Sequence, residues 1–149
     1  MIEEAVSCWK CLPATTQAVL LTRFIWELPQ NVLGILVWVV VRHTILEATH
    51  KHHRLFFQVP NFGVSLGSFV FWSDFEGAAV QNLDNKVHEF GHTLQSLYFG
   101  PLYLLVVGLP SLSRVAYGVL YYALKKEKWL GYYAGYPERW ADDLGRSYF

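Results

Sequence analysis

Charge is scarce in this chain. Only 16% of its 149 residues are Asp, Glu, Lys or Arg, and they sum to a formal net charge of zero. That excludes an electrostatic nucleic-acid binder, which needs a basic face, and no basic stripe interleaved with aromatics occurs. Cysteine is nearly missing too. Cys8 and Cys11 form a lone Cys-x-x-Cys, with no second pair to complete a tetrahedral metal site. Two neighbouring cysteines near a chain end are more often incidental than functional. The opening Met1-Ile2-Glu3-Glu4 lacks the positive start of a cleaved signal peptide, so none is expected. What fills the chain instead is 53% hydrophobic and 17% aromatic residues, a composition that fits a membrane protein better than a soluble domain. The length suits one domain.

The first apolar run covers about 16–44, and its core Val32–Val41 has no polar face. Roughly 20 residues cross a hydrocarbon layer of about 30 Å, so this run reads as a membrane span. Arg23 and Glu27, four apart, are expected to pair on one face, and Pro29 to kink the helix. Further spans are expected at about 93–109 and 112–126, kinked at Gly100-Pro101 and separated by a turn at Pro110–Arg114. Between the first and second spans lies His50-Lys51-His52-His53-Arg54, which fits a solvated basic patch beside the membrane. Aromatic and β-branched residues then alternate on both sides of Pro60-Asn61-Phe62-Gly63, the pattern of a β-hairpin over about 50–72. The expected fold is therefore an α-helical integral membrane protein with a small β-hairpin or sheet and about three transmembrane helices.

The stretch with the most chemistry is His88-Glu89-Phe90-Gly91-His92, on a helix expected from about 84. Positions i and i+4 share a helix face, so both imidazoles can reach one cation, with Glu89 beside it as a proton acceptor. Gly91 leaves room for another element to approach closely. Two imidazoles make a poor catalytic zinc site, which usually has three protein ligands. A third stands downstream in Glu138-x-x-x-Asp142, on a short helix at about 137–145 with Pro137 in its first turn and Gly145 as its stop. Glu138 would complete the ligand set, and Asp142 could bond the other nitrogen of a ligating histidine. A plain surface acidic helix matches the same pattern.

Together, His88-Glu89-x-x-His92 and Glu138-x-x-x-Asp142 resemble the gluzincin zinc metallopeptidases, and small size with membrane helices narrows the likeness to the integral-membrane minigluzincins, reduced to a minimal zincin catalytic core. That resemblance covers roughly 85–96 and 136–145. It implies one zinc ion on His88, His92 and Glu138, Glu89 as general base and acid, and Asp142 behind His88. It also implies an oxyanion-stabilising residue, for which Tyr132, Tyr133 and Tyr136 are candidates. The substrate would be a peptide or protein, added as a strand along an edge at Val64, Leu66, Ser68 and Val70. A silent metal-binding or scaffolding module, and a structural membrane protein with a chance motif, are the alternatives. Because Glu138 must reach His88, Lys125–Lys128 is expected on the active-site face and the Pro110–Arg114 turn on the opposite one. The positive-inside bias then puts the site on the cytoplasmic face of a bacterial inner membrane, with lipid as a partner and nucleic acid excluded.

Overall fold

The computed structural model describes residues 14–73 and 79–149, so Cys8, Cys11 and the polar connection after Ser73 lie outside the described residues. The chain is mostly helical, with a small mixed sheet. Helix α1 (Ala14–Trp26) and helix α2 (Leu28–Val41) meet at 89°. The break falls at Glu27, and Pro29 sits in the first turn of α2, where its missing N–H costs nothing. Glu27 is fully buried there. Its carboxylate pairs with Arg54 at 2.7 Å and accepts the Ser96 hydroxyl at 2.5 Å. The expected Arg23 partner is thus replaced by Arg54, which is 2% exposed and no part of a solvated patch. A carboxylate without water needs a strong partner, and a two-pronged guanidinium from across the fold supplies one.

Four strands follow: β1 (Glu47–Lys51), β2 (Arg54–Gln58), β3 (Val64–Leu66) and β4 (Phe69–Trp72), in spatial order β1-β2-β4-β3. The single hairpin expected around Pro60–Gly63 is instead two hairpins, β1–β2 and β3–β4, joined through a parallel β2–β4 pair. Two tight turns divide the pattern. His52 and His53 take φ of 51° and 59°, the left-handed pair of a two-residue turn. Gly67 takes φ 61°, and Asn31 of α2 accepts the neighbouring Ser68 N–H at 2.7 Å. The sheet lies between two helical layers. Phe56 and Val70 pack on Phe90 of helix α3 (Ala79–Phe99), while Phe57, Val59 and Phe71 pack on Val37, Trp38 and Val41 of α2.

Helix α3 starts five residues before the expected 84 and ends where Gly100 turns to φ 49°. Trp26 lies so close to Gly100 that a Cβ would come within 2.2 Å of its ring. Trp26 Nε1 and Gln30 Nε2 donate to the Leu97 and Gly100 carbonyls, satisfying acceptors that the helix end leaves free. Beyond this corner, Leu104–Lys125 is one helix of 22 residues, π-helical over Leu104–Gly108 and continuing as α4 (Leu109–Lys125). The turn expected at Pro110–Arg114 does not form. Pro110 occupies the first turn of α4, and the chain's reversal falls at Lys126, with φ 59°. Among the described residues one helix is long and apolar enough to cross a membrane, or two if the bent α1–α2 pair is one span, against the expected three. From Lys126 the chain returns along α4. Arg114 donates to the Gly131 and Tyr132 carbonyls and stacks on Trp129, and Tyr136 donates to the Val106 carbonyl at 2.8 Å. The last helix, α5 (Glu138–Tyr148), then packs on α3.

Candidate metal centre

Two glycines let α3 and α5 touch backbone to backbone. A Cβ on Gly91 would come within 1.9 Å of the Ala141 carbonyl oxygen, and one on Gly145 within 2.2 Å of the Val87 carbonyl oxygen. Gly91 does what its position in the motif promised. Gly145, expected as a helix stop, lies buried inside α5, which runs on to Tyr148. This close crossing brings Glu138 over the motif. His88 Nε2 and His92 Nε2 are 3.1 Å apart, and Glu138 Oε2 lies 3.0 Å from the first and 3.3 Å from the second. All three residues are buried.

The hydrogen bonds behind the rings assign the tautomers. His88 Nδ1 is 2.8 Å from Asp142 Oδ1, a carboxylate that can only accept. His92 Nδ1 is 2.8 Å from Gln95 Oε1, and Gln95 Nε2 donates to the Pro137 carbonyl at 3.0 Å, which orients the amide with its oxygen toward His92. In the neutral rings both Nδ1 atoms therefore carry the proton and both Nε2 atoms present lone pairs. In that neutral state two lone pairs and a carboxylate oxygen converge. The group His88, His92 and Glu138 can hold a metal ion. Its spacing suits a tetrahedral site, where ligands about 2.0–2.1 Å from the metal lie about 3.3 Å apart. Among the described residues Glu138 Oε1 is buried without a hydrogen-bond partner, which suits a group that can hold a cation.

A proton competes with a cation for these lone pairs. Burial opposes a charge on His88, but bonds to Asp142 and Glu138 outweigh it, and the ring is pushed up to about 10. Burial likewise opposes the charge on Glu138, yet hydrogen bonds from His88 and His92 hold its carboxyl well below the usual range. Burial pushes the Glu89 carboxyl up, with His92 and His88 drawing it partly back. A carboxyl raised in this way takes up a proton more readily than a solvated one.

Ser65 of β3 holds Glu89 in place. Its Oγ is 2.8 Å from Glu89 Oε2 and 2.6 Å from the Glu89 carbonyl oxygen. A Cβ on Gly63 would come within 2.5 Å of Glu89 Oε1, so only glycine leaves the carboxylate its space. Tyr103 caps the strand by donating to the Ser65 carbonyl at 3.2 Å. Ser65, Tyr103 and Gln95 were not among the expected site residues. Gln95 stands one helical turn after His92 and could have been suspected from spacing. Ser65 and Tyr103 carry no local signal, because only the packing of β3 on α3 brings them in.

The tyrosines separate. Tyr133 sets its ring edge-on to His88, with centroids 5.2 Å apart. Tyr132 lines a cavity of about 540 Å³ together with Glu89 and His92. Burial, and then Glu138, keep the Tyr132 hydroxyl protonated, so it remains a donor. Tyr136 is committed to the Val106 carbonyl. The expected substrate edge needs correcting in part. Val64 and Leu66 lie on β3, which is an edge strand, but Ser68 is in the turn and Val70 is in β4, paired on both sides. Ser111, expected on the opposite face from the sheet, lines the same cavity as Ser65. No protein-family model, curated protein or solved structure matched the chain.

Proposed function

We propose that this chain is a membrane-integrated zinc metallopeptidase that hydrolyses peptide bonds with Glu89 as general base and acid. One observation carries the reading: two histidine lone pairs and a buried carboxylate converge, each ring is held by a partner behind it, and Glu89 stands alongside. His88, His92 and Glu138 would hold the ion. Zinc bound there would polarise the scissile carbonyl and lower the pKa of a coordinated water to about 7. Glu89, positioned by Ser65 and left free space by Gly63, takes a proton from the attacking water and returns it to the leaving amine. Tyr132 and Tyr133 flank the site, and Tyr132 is better placed to donate to a developing oxyanion because it shares the cavity with Glu89.

Membrane integration rests on helix Leu104–Lys125 and the bent apolar pair before the sheet. These two elements carry the anchoring in place of three separate crossings. The orientation we propose has the site on the cytoplasmic face of a bacterial inner membrane, with Arg42 at the end of α2, Lys51 on β1 and Lys86 on α3 as the basic residues of that face. Lys125–Lys128 sits at the far end of the long helix, so a label there reports the face opposite the site.

Elemental analysis of the purified protein, paired with cleavage of an unfolded protein substrate, tests the function. About one zinc per chain is expected. Glu89→Gln should keep the zinc and lose at least about 100-fold in turnover. A zinc-free protein, or a Glu89→Gln variant as active as the parent, would overturn the reading.

A further inference from the structure

A charged residue stands in the middle of the apolar long helix. Arg114 lies within Leu104–Lys125, where a guanidinium facing hydrocarbon is costly and needs a partner. Its partner is the returning chain. Arg114 Nε donates to the Tyr132 carbonyl at 2.8 Å, and Nη2 donates to the Gly131 carbonyl. The guanidinium carbon lies 5.0 Å from the centre of the Trp129 ring. Tyr117, on the next turn of the helix, sets its own ring edge-on to Trp129 with centroids 4.7 Å apart. A Cβ on Gly135 would come within 2.9 Å of Arg114 Nη1, so glycine there leaves the guanidinium its space. A second tie lies further back along the helix. Pro110 has no N–H to offer the Val106 carbonyl four residues before it, and the Tyr136 hydroxyl donates to that carbonyl at 2.8 Å.

The carbonyls of Gly131 and Tyr132 belong to the two peptide units on either side of the Tyr132 Cα. Each unit is planar, so holding both carbonyls fixes both backbone dihedrals of Tyr132. Of the tyrosines on the returning segment, Tyr132 is the one that lines the cavity with Glu89 and His92. We infer that Arg114 is a positioning residue, which holds Tyr132 beside the metal centre so that its hydroxyl can donate to the oxygen of the peptide bond under attack. The inference rests on the peptidase reading and deepens it, by naming what keeps the oxyanion donor in place. Arg114 acts through Tyr132 alone. Lysine would keep the charge, but an ammonium has no plane with which to bridge two carbonyls and stack on Trp129 together.

The test uses the zinc-loaded full chain in lipid nanodiscs. It reads zinc content, kcat and KM on a fluorogenic peptide, and affinity for a phosphinic peptide that mimics the tetrahedral hydrate of the peptide bond. Arg114→Lys and Tyr132→Phe should each keep the zinc and hold KM within about twofold, while losing about 10- to 100-fold in kcat and in phosphinic-peptide affinity. The double variant should lose no more than the worse single one, because both remove the same contact. Gly135→Ala, which leaves Arg114 in place but crowds it, should lose about 10-fold in the same two quantities. Amide hydrogen exchange over residues 129–136 should rise in Arg114→Lys and stay at the parent level in Tyr132→Phe. Arg146→Gln, an exposed charge on α5, should match the parent throughout. Losses that multiply in the double variant would overturn the inference. So would unchanged exchange over 129–136 in Arg114→Lys, or loss of zinc from both Arg114→Lys and Gly135→Ala. A parent that cleaves nothing would sink the peptidase reading, and the phosphinic affinities with the exchange pattern would still uphold or overturn the role of Arg114.

Discussion

Behind His88 and His92 stand two different acceptors, a carboxylate and an amide, and they do not weigh equally. Asp142 adds charge to a hydrogen bond, which strengthens it, whereas Gln95 adds orientation alone. Partners of this kind typically contribute 10–100-fold in metal affinity or activity. Asp142→Asn should therefore weaken zinc retention or turnover by about 10- to 100-fold, and Gln95→Ala by about 10-fold, measured by chelator competition. The exposed neighbour Asp143 makes no contact with the rings, and Asp143→Asn should stay near the parent. Equal losses at 142 and 143 would mean that bulk acidity matters rather than the His88 contact. The pH dependence has a sign. His88 pushed up to about 10 means that protons compete with the metal throughout the neutral range. Zinc affinity should rise as pH is raised from 6 toward 9, with proton release on binding, and a flat profile would contradict the His88 assignment.

Among the elements, the α3–α5 crossing and the α1–α2 break are where side-chain size and charge decide the geometry. A methyl group on Gly91 or Gly145 would push the two helices apart at backbone contacts that cannot yield cheaply. Gly91→Ala and Gly145→Ala should each cost about 1–3 kcal/mol and lose most of the bound zinc, whereas Gly118→Ala should keep it. Thermal unfolding together with metal content separates loss of fold from loss of the site. At the helix break, Glu27 depends on Arg54 for charge and on Ser96 for a hydrogen bond. Arg54→Ala should destabilise by about 3–5 kcal/mol because it strands a buried carboxylate. Arg23→Ala should have little effect, and the reverse ranking would restore the local pair that spacing suggested.

For the whole molecule, the membrane placement we propose rests on the long helix and the chain that returns along it. At 1.5 Å per residue its 22 residues span about 33 Å, enough for a hydrocarbon layer of about 30 Å. The irregular return from Lys126 to Pro137 follows the same helix, and Arg114 supplies donors to two of its carbonyls. Such backbone is tolerated at membrane depth only when its polar groups are met within the protein. Single cysteines at Ser65 and Ser111 should be labelled from the same side, since both line one cavity, with a cysteine at Lys128 labelled from the other. Labelling of Ser65 and Ser111 from opposite sides would refute this arrangement.

Some of this was legible in the residues themselves. A period of four places His88 and His92 on one face, Glu138 and Asp142 repeat that spacing, and the apolar runs identify which helices lack a wet side, all because helix geometry is local. Tertiary structure alone decided the rest. Glu27 took Arg54 over its nearer neighbour Arg23, the sheet split at His52–His53 and Gly67–Ser68 where Asn31 could reach, and the long helix ran through Pro110 instead of turning. Ser65, Tyr103 and the cavity beside the metal centre belong to the same group. Each choice depends on which buried polar group finds a partner across the fold, and sequence spacing carries no information about groups that meet only after packing.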